Sequence, residues 1–532
     1  MKIVNKIGQF IYGLGSGVVY VLAALIAFYL IYLSASVTGA MAFEDEHVFF
    51  IKDVGPGMVM GILAVISVLA VIYRRHKGFW TSEDKVVSFL RVLSVLLTVG
   101  FAVLGYFIVK TTHLRPIYDQ DWIFQHAGEF LQGDYHSWQT GEYMNMFPFQ
   151  NGMVLFFLPF ARLGENGVFV FQYLNIGGLI LLNIGLTKIA REYFGRVWGY
   201  GTYIAATLTL QMWGQITFVY GFLWQIAFGI WGIYLMIRWA RKRKIVYAVF
   251  SVLCLALGAV CKYNGVLFVI AVSLVLFVRM LKRREESVLR DVIVLAALLL
   301  CTFGTLAGIR FYFASVTGSN TNQGISMRGY LATGFSESSI APGWFNDINT
   351  SVYEEYAGDQ KKIEERYGEI VAEKLELFRV EPGYAMRFFA RKTASMWAEP
   401  AMQCFTNTSI RNLDGSLSPA WKDVLYNGGI ANTVLYLLMD IWQSCLYFGV
   451  LLRFFWIAKS RKMHRVLKEG DLLVLFLGGF IYHFLFEAQC YYVLPYFLAL
   501  TPYALKGYGE TVRELAEAGF KKSKGVRFTL IA

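Results

Sequence analysis

The chain has 532 residues, of which 56% are hydrophobic, 17% aromatic and only 16% charged, with a mean hydropathy of +0.48. That balance excludes an ordinary soluble globular domain and points to an all-α polytopic membrane protein. The formal net charge of +12 comes from short cationic runs between apolar stretches, which report membrane topology and attraction to anionic lipid, so no nucleic-acid partner is expected.

About 12 apolar runs are each long enough to cross roughly 30 Å of hydrocarbon as a helix. They lie at 10–34, 57–73, 86–109, 167–187, 197–219, 222–239, 246–261, 266–280, 292–313, 433–457, 472–486 and 492–505. The first follows Lys2 and Lys6 but has neither the short core nor the small-residue cleavage site of a signal peptide, and reads as a retained helix. The cationic runs at 74–77, 188–196, 241–244, 282–284, 459–468 and 521–524 all fall on one side if the helices alternate. Short loops rich in Lys and Arg stay in the cytoplasm, so both termini are expected there, in a multi-pass protein of the cell membrane.

Two long stretches are left on the outer face, 110–150 and 314–430. Within the second, 353–379 mixes charges of both signs and reads as a helical portion with a solvated face. The apolar run 152–163 is too short to span and is expected to lie at the outer interface. The domain expectation is two helices in 1–85, a transmembrane module in 86–313 with an external loop at 110–150, a small external α-rich domain in 314–430, C-terminal helices in 431–506 and a basic cytoplasmic tail in 507–532. Six cysteines supply no disulfide framework, and metal-type Cys/His spacing is absent.

The outer segments carry the candidate chemistry. Asp119 and Asp121 follow the end of an apolar run; one of them, Asp119 first, could serve as general base, or both could simply cap the helix that starts near Trp122. Arg115, Lys262 and Arg310 are cations on the side that topology depletes of them. They suit a lipid-bound phosphate, or they snorkel to headgroups. His483 and Glu487 are four residues apart, on one helix face, and are followed by Tyr491 and Tyr492. They could line a cavity or make a structural hydrogen bond between helices.

The order of these elements resembles the GT-C superfamily of integral-membrane glycosyltransferases, in particular the protein-mannosyltransferase-like and aminoarabinose-transferase-like branch. The acidic motif of the first external loop corresponds to Tyr118, Asp119, Gln120 and Asp121. The interfacial stretch that follows corresponds to 143–152, with Tyr143, Pro148 and Gln150; the external lysine turn to Gly258, Lys262 and Gly265; and the last helical pair to 478–497, with His483, Glu487, Tyr492 and Pro495. The resemblance spans about 86–506. Two departures stand out: Tyr491 occupies the place where relatives tend to carry Arg, and two helices precede the usual module.

The resemblance implies an inverting transfer of a sugar from a polyprenyl-phosphate donor to an envelope acceptor, which could be a glycan, a lipid or a protein. Asp119 would be the base and Asp121 a supporting carboxylate. Lys262 with Arg115 or Arg310 would hold the donor phosphate; Tyr143, Gln150, His483, Glu487 and Tyr492 would bind sugar or acceptor. A Gly-containing loop at 329–347 would close over the acceptor. The resemblance fixes no cofactor; two nearby aspartates could hold a divalent metal or none. The rival class is a transporter or lipid flippase, for which the chain shows neither matching halves nor paired broken helices.

Overall fold

The structure is a computed structural model that describes residues 2–41, 47–116, 118–281, 285–320, 323–356, 358–409 and 417–525. The cationic run at 282–284 and the part of the basic tail after residue 525 lie outside the described residues. Taking helices of eight residues or more in order, the first group is α1 (Lys2–Ser36), α2 (Gly55–Arg75), α3 (Glu83–Thr112), α4 (Asp119–Gln132), α5 (Asn151–Ala161) and α6 (Glu165–Phe194). Next come α7 (Arg196–Thr207), α8 (Phe222–Lys242), α9 (Ile245–Cys261), α10 (Val266–Met280) and α11 (Glu285–Thr317). The series continues with α12 (Met327–Gly334), α13 (Ile348–Glu355), α14 (Gln360–Val380) and α15 (Pro382–Trp397), and ends with α16 (Ile430–Lys459), α17 (Asp471–Leu485) and α18 (Leu494–Gly525).

Eight of the described helices are long and apolar enough to cross a membrane, while α9 and α17 are apolar but shorter. Their outward faces stay apolar: Leu14, Val21 and Phe28 on α1, Val92, Val99 and Val103 on α3, and Leu300 and Phe311 on α11 are all exposed. A stripe of this kind is stable only against lipid or another apolar surface. The polar helix ends gather at one pole of the bundle. There Arg196 meets Glu83 at 3.0 Å, Arg238 meets Glu192 at 2.7 Å, Arg279 meets Asp471 at 2.6 Å and Arg453 meets Glu510 at 2.8 Å, tying α3 to α7, α6 to α8, α10 to α17 and α16 to α18. The other ends of the same helices form the pole where the candidate site lies.

Two sequence expectations need correction. The run at 197–219 is not one helix: α7 stops at Thr207, and 208–221 holds only two short helical turns, Gln211–Gly214 and Gln215–Thr217, joined by irregular chain and largely buried. Buried irregular backbone must find internal partners. Gln172 Nε2 donates to Thr217 O at 3.2 Å, and Asn175 Nδ2 donates to Ile216 O and Phe218 O, each at 3.0 Å, so two amides on α6 supply them. Residues 37–52, expected in no strand, include an antiparallel hairpin, β1 (Val37–Met41) with β2 (Val48–Lys52), which pairs Val37 with Lys52 and Met41 with Val48. Gly39 N also donates to Ala398 O at 2.7 Å, so the hairpin is moored to the segment after α15.

The mixed-charge stretch 353–379 is divided between α13 and α14. The break falls at Gly358, whose φ is +84°, and at Asp359, whose carboxylate accepts from Lys362 N and starts α14. The first part of 329–347 is α12, where Gly329 abuts the Tyr367 ring and Gly334 abuts Leu485 O. A small core of Ile325, Ala332, Val352, Tyr353, Ile363 and Tyr367 joins α12, α13 and α14.

Candidate active site

The helix that carries the two aspartates begins at Asp119 itself. Neither carboxylate caps it; the N-cap is Tyr118, whose backbone is held at φ +52° and ψ −140°, a sparsely populated combination for a residue with a side chain. Being two positions apart in a helix, the aspartates diverge. Asp121 turns away from the cavity described below and accepts a 2.6 Å hydrogen bond from Gln125 Nε2. Asp119 faces that cavity, and its Oδ1 accepts a 2.9 Å bond from the Tyr143 hydroxyl, which in turn accepts a 2.8 Å bond from Gln150 Nε2. The neighbouring Gln120 anchors the start of α4 to the 208–221 segment by accepting from Val219 N at 3.1 Å.

The cavity has a volume of about 1150 Å³ and brings together Asp119, Tyr143, Gln150, Lys262, Arg310, His483, Glu487 and Tyr492. Eight of the ten sequence-predicted residues therefore share one chamber. Asp121 and Arg115 are outside it; Arg115 is exposed and pairs with Glu165 at 2.9 Å.

Lys262 reaches the cavity from the turn between α9 and α10. Its ammonium sits 3.8 Å from the centre of the Tyr220 ring and about 6 Å from Tyr491 and Tyr492, in a pocket with aromatic walls. The turn depends on Gly265, where a Cβ would lie 2.5 Å from Gly258 O and force the last turn of α9 aside. Burial pulls the Lys262 ammonium down to about 7, with Asp119 and Glu487 opposing that shift. Asp119 is open to the cavity yet deep within protein. Burial raises its carboxyl above the ordinary range, and the Tyr143 hydrogen bond and Lys262 restrain the rise.

Glu487 stands where the sequence placed it in space but not in structure. Helix α17 ends at Leu485, Phe486 is extended, and Glu487 follows on non-helical chain, so the expected four-residue helical register with His483 is broken. Burial pushes Glu487 up to about 7, Asp119 adds to the rise, and Lys262 and Lys392 oppose it. His483 is buried and stacks on Tyr492 with ring centres 5.3 Å apart.

Sequence reasoning missed Lys392, which is fully buried on α15. Its ammonium donates to Gly334 O and Phe486 O, both at 2.7 Å, capping the ends of α12 and α17 at once, and Ala488 N donates to Gly343 O at 2.8 Å beside it. The segment that carries Glu487 is thereby clamped to α12 and α15. Nothing in the sequence distinguishes Lys392 from the other cations of α15, Arg387 and Arg391. Tyr220 and Gln403 also line the cavity unannounced. The signal for Tyr220 was the cluster of Thr and Gln in 207–217, which marks a helix break.

Among the described residues no three His, Cys, Asp or Glu side chains converge on one point. Asp119 accepts from the Tyr143 phenol and feels the charge of the Lys262 ammonium. No step below is routed through a metal.

No family model and no curated protein matches the chain. Among solved structures it is similar to the Archaeoglobus fulgidus oligosaccharyltransferase in its apo form, at a TM-score of 0.43 and 14% identity, over 85% of this chain and 53% of that one. The same protein with zinc and sulfate gives a TM-score of 0.41 and 15% identity, over 82% and 51%. The archaeal oligosaccharyltransferase AglB from that organism, with an inhibitory peptide and a dolichol-phosphate, gives 0.41 and 13%, over 86% and 53%. The chain thus spans about half the length of those proteins.

Proposed function

We propose that the chain is a membrane glycosyltransferase that moves a sugar from a polyprenyl phosphate to an acceptor hydroxyl, with inversion at the anomeric carbon. The observation that carries this reading is the placement of Asp119 and Lys262 in one chamber, a carboxylate held by Tyr143 and a cation in an aromatic pocket. Such a reaction needs a base beside the attacking oxygen and positive charge where the leaving phosphate gathers electrons.

The chamber also continues along α11, where Phe303, Leu306 and Ala307 lie below Arg310 on a helix whose outer face is apolar. That combination suits a donor with a charged head and an isoprenoid tail. Arg310 is the second phosphate contact in this reading; Arg115 and Asp121 have supporting roles at most, because neither enters the chamber. His483, Tyr492 and Gln150 shape the sugar site. The cationic pole is cytoplasmic by the positive-inside rule, which puts the chamber on the extracytoplasmic side and both termini in the cytoplasm.

Reconstituted protein supplied with a set of polyprenyl-phosphate sugars tests the reading. Transfer of one of those sugars with inverted anomeric configuration, read by NMR of the product, is the expected result. Retained configuration would remove single displacement, and substrate movement across the bilayer without any transfer would favour the transporter class.

A further inference from the structure

We propose that the acceptor is an uncharged saccharide bound along the α13 side of the chamber, and that this wall turns away acceptors that carry phosphate. The inference rests on the transfer reading above. Charge around the chamber is uneven: Asp119 and Glu487 act on Lys262, while a second group of carboxylates has no cation among the described lining residues of its wall. Among the described residues its two lining cations are Lys262 and Arg310, both on the α9 to α11 side. Thr350 and Glu354, four positions apart and so on one face of α13, line the chamber together with Asp347, the left-handed N-cap of that helix. Lysine and arginine are absent from that wall among the described lining residues.

The rest of the wall is made of uncharged hydrogen-bonding groups and rings. Gln323, Asn349 and Gln360 contribute amides, and Tyr330 and Phe345 contribute aromatic surface, with Phe345 38% exposed. Asn349 takes Thr350 N on its Oδ1, while its Nδ2 is buried beside the chamber without a protein partner. Amides and carboxylates serve hydroxyl groups, which both donate and accept, and rings stack on the apolar face of a pyranose. A phosphate has no hydroxyl-like donor when ionised and would be held against Asp347 and Glu354, a mismatch of the kind that gives specificity through repulsion.

The step balances without a co-reactant. The bond from the anomeric carbon to the phosphate oxygen breaks with its electron pair going to that oxygen. The acceptor oxygen forms the new bond to the anomeric carbon, and its proton passes to Asp119.

The test uses the full chain in proteoliposomes with a radiolabelled polyprenyl-phosphate sugar. Acceptors are a series of neutral oligosaccharides and the same oligosaccharides bearing a phosphate monoester; donor hydrolysis by water is followed separately. The expected result is transfer to neutral acceptors with kcat/KM at least about tenfold above their phosphorylated counterparts. In the Asp347→Lys/Glu354→Lys double variant that ratio narrows while the donor KM is unchanged. Equal use of both acceptor sets, or a ratio that the double variant leaves unchanged, would overturn the proposal. Donor hydrolysis with every saccharide inert would overturn it and leave the transfer reading standing. Absence of both hydrolysis and transfer would overturn the two together.

Discussion

The Tyr143 hydroxyl donates to Asp119 Oδ1 at 2.9 Å, and the phenol is itself held by Gln150 Nε2 at 2.8 Å. The chain of three side chains fixes the base and lowers its proton affinity against the rise caused by burial. Replacing Tyr143 by Phe removes that restraint, so the Asp119 carboxyl moves further up. The acid limb of the pH–rate profile is then expected to shift to higher pH, with a loss of rate of about tenfold to a hundredfold at alkaline pH, as one hydrogen bond to a charged group, about 1.5–3 kcal/mol, allows. Profiles of wild type and Tyr143→Phe side by side decide it; superimposable profiles would detach Tyr143 from the base.

Lys262 predicts a second pH dependence. A lysine pulled down to about 7 is cationic below that pH and neutral above it. The donor KM is therefore expected to climb as pH rises through about 7 and to flatten in Lys262→Arg, since arginine stays charged throughout. Initial rates at several donor concentrations between pH 6 and 8.5 measure this directly. A donor KM that ignores pH in the wild type would remove Lys262 from the phosphate site.

The three cations singled out from sequence should behave differently. Arg115 is exposed in an ion pair with Glu165, and such pairs contribute about 0–1 kcal/mol. Arg115→Ala is expected to leave both activity and thermal stability close to wild type. Arg310→Met is expected to raise the donor KM while leaving kcat for a saturating donor within a few-fold of wild type. The reverse ranking would move the phosphate site out of the chamber.

Lys392 makes a prediction about stability rather than chemistry. Its ammonium meets the carbonyls of Gly334 and Phe486, and hydrogen bonds to charged donors contribute about 1.5–3 kcal/mol each where the acceptors would otherwise be buried unpaired. Lys392→Met should lower the unfolding temperature in detergent. It should also increase proteolytic cleavage near 485–490 before cleavage elsewhere, because that segment loses its clamp. Uniform destabilisation without local cleavage would mean that Lys392 supports the fold generally and not the Glu487 segment.

What the sequence could and could not reveal follows from the range of the interactions. Apolar length located most of the long helices, since burial in lipid is a property of each segment alone. The stretch 208–221 escaped because Leu208, Leu210, Met212, Trp213 and Ile216 are as apolar as a helix would be. Its backbone partners, Gln172 and Asn175, lie about forty residues away. The hairpin at 37–52 depends on mooring to Ala398, a contact more than 350 residues distant. Asp119, Lys262 and Glu487 were visible as charges in places that disfavour charge. Lys392 was not, since on an amphipathic helix with neighbouring arginines only the fold shows which cation is buried.

The most direct test of the central claim is the rate of sugar transfer by wild type and by Asp119→Asn in the same proteoliposomes, with equal folding verified by circular dichroism and thermal unfolding. A general base contributes about 10²–10⁴-fold, so the account predicts a loss of that size in kcat with the donor KM little changed. Equal transfer by the two proteins would contradict it.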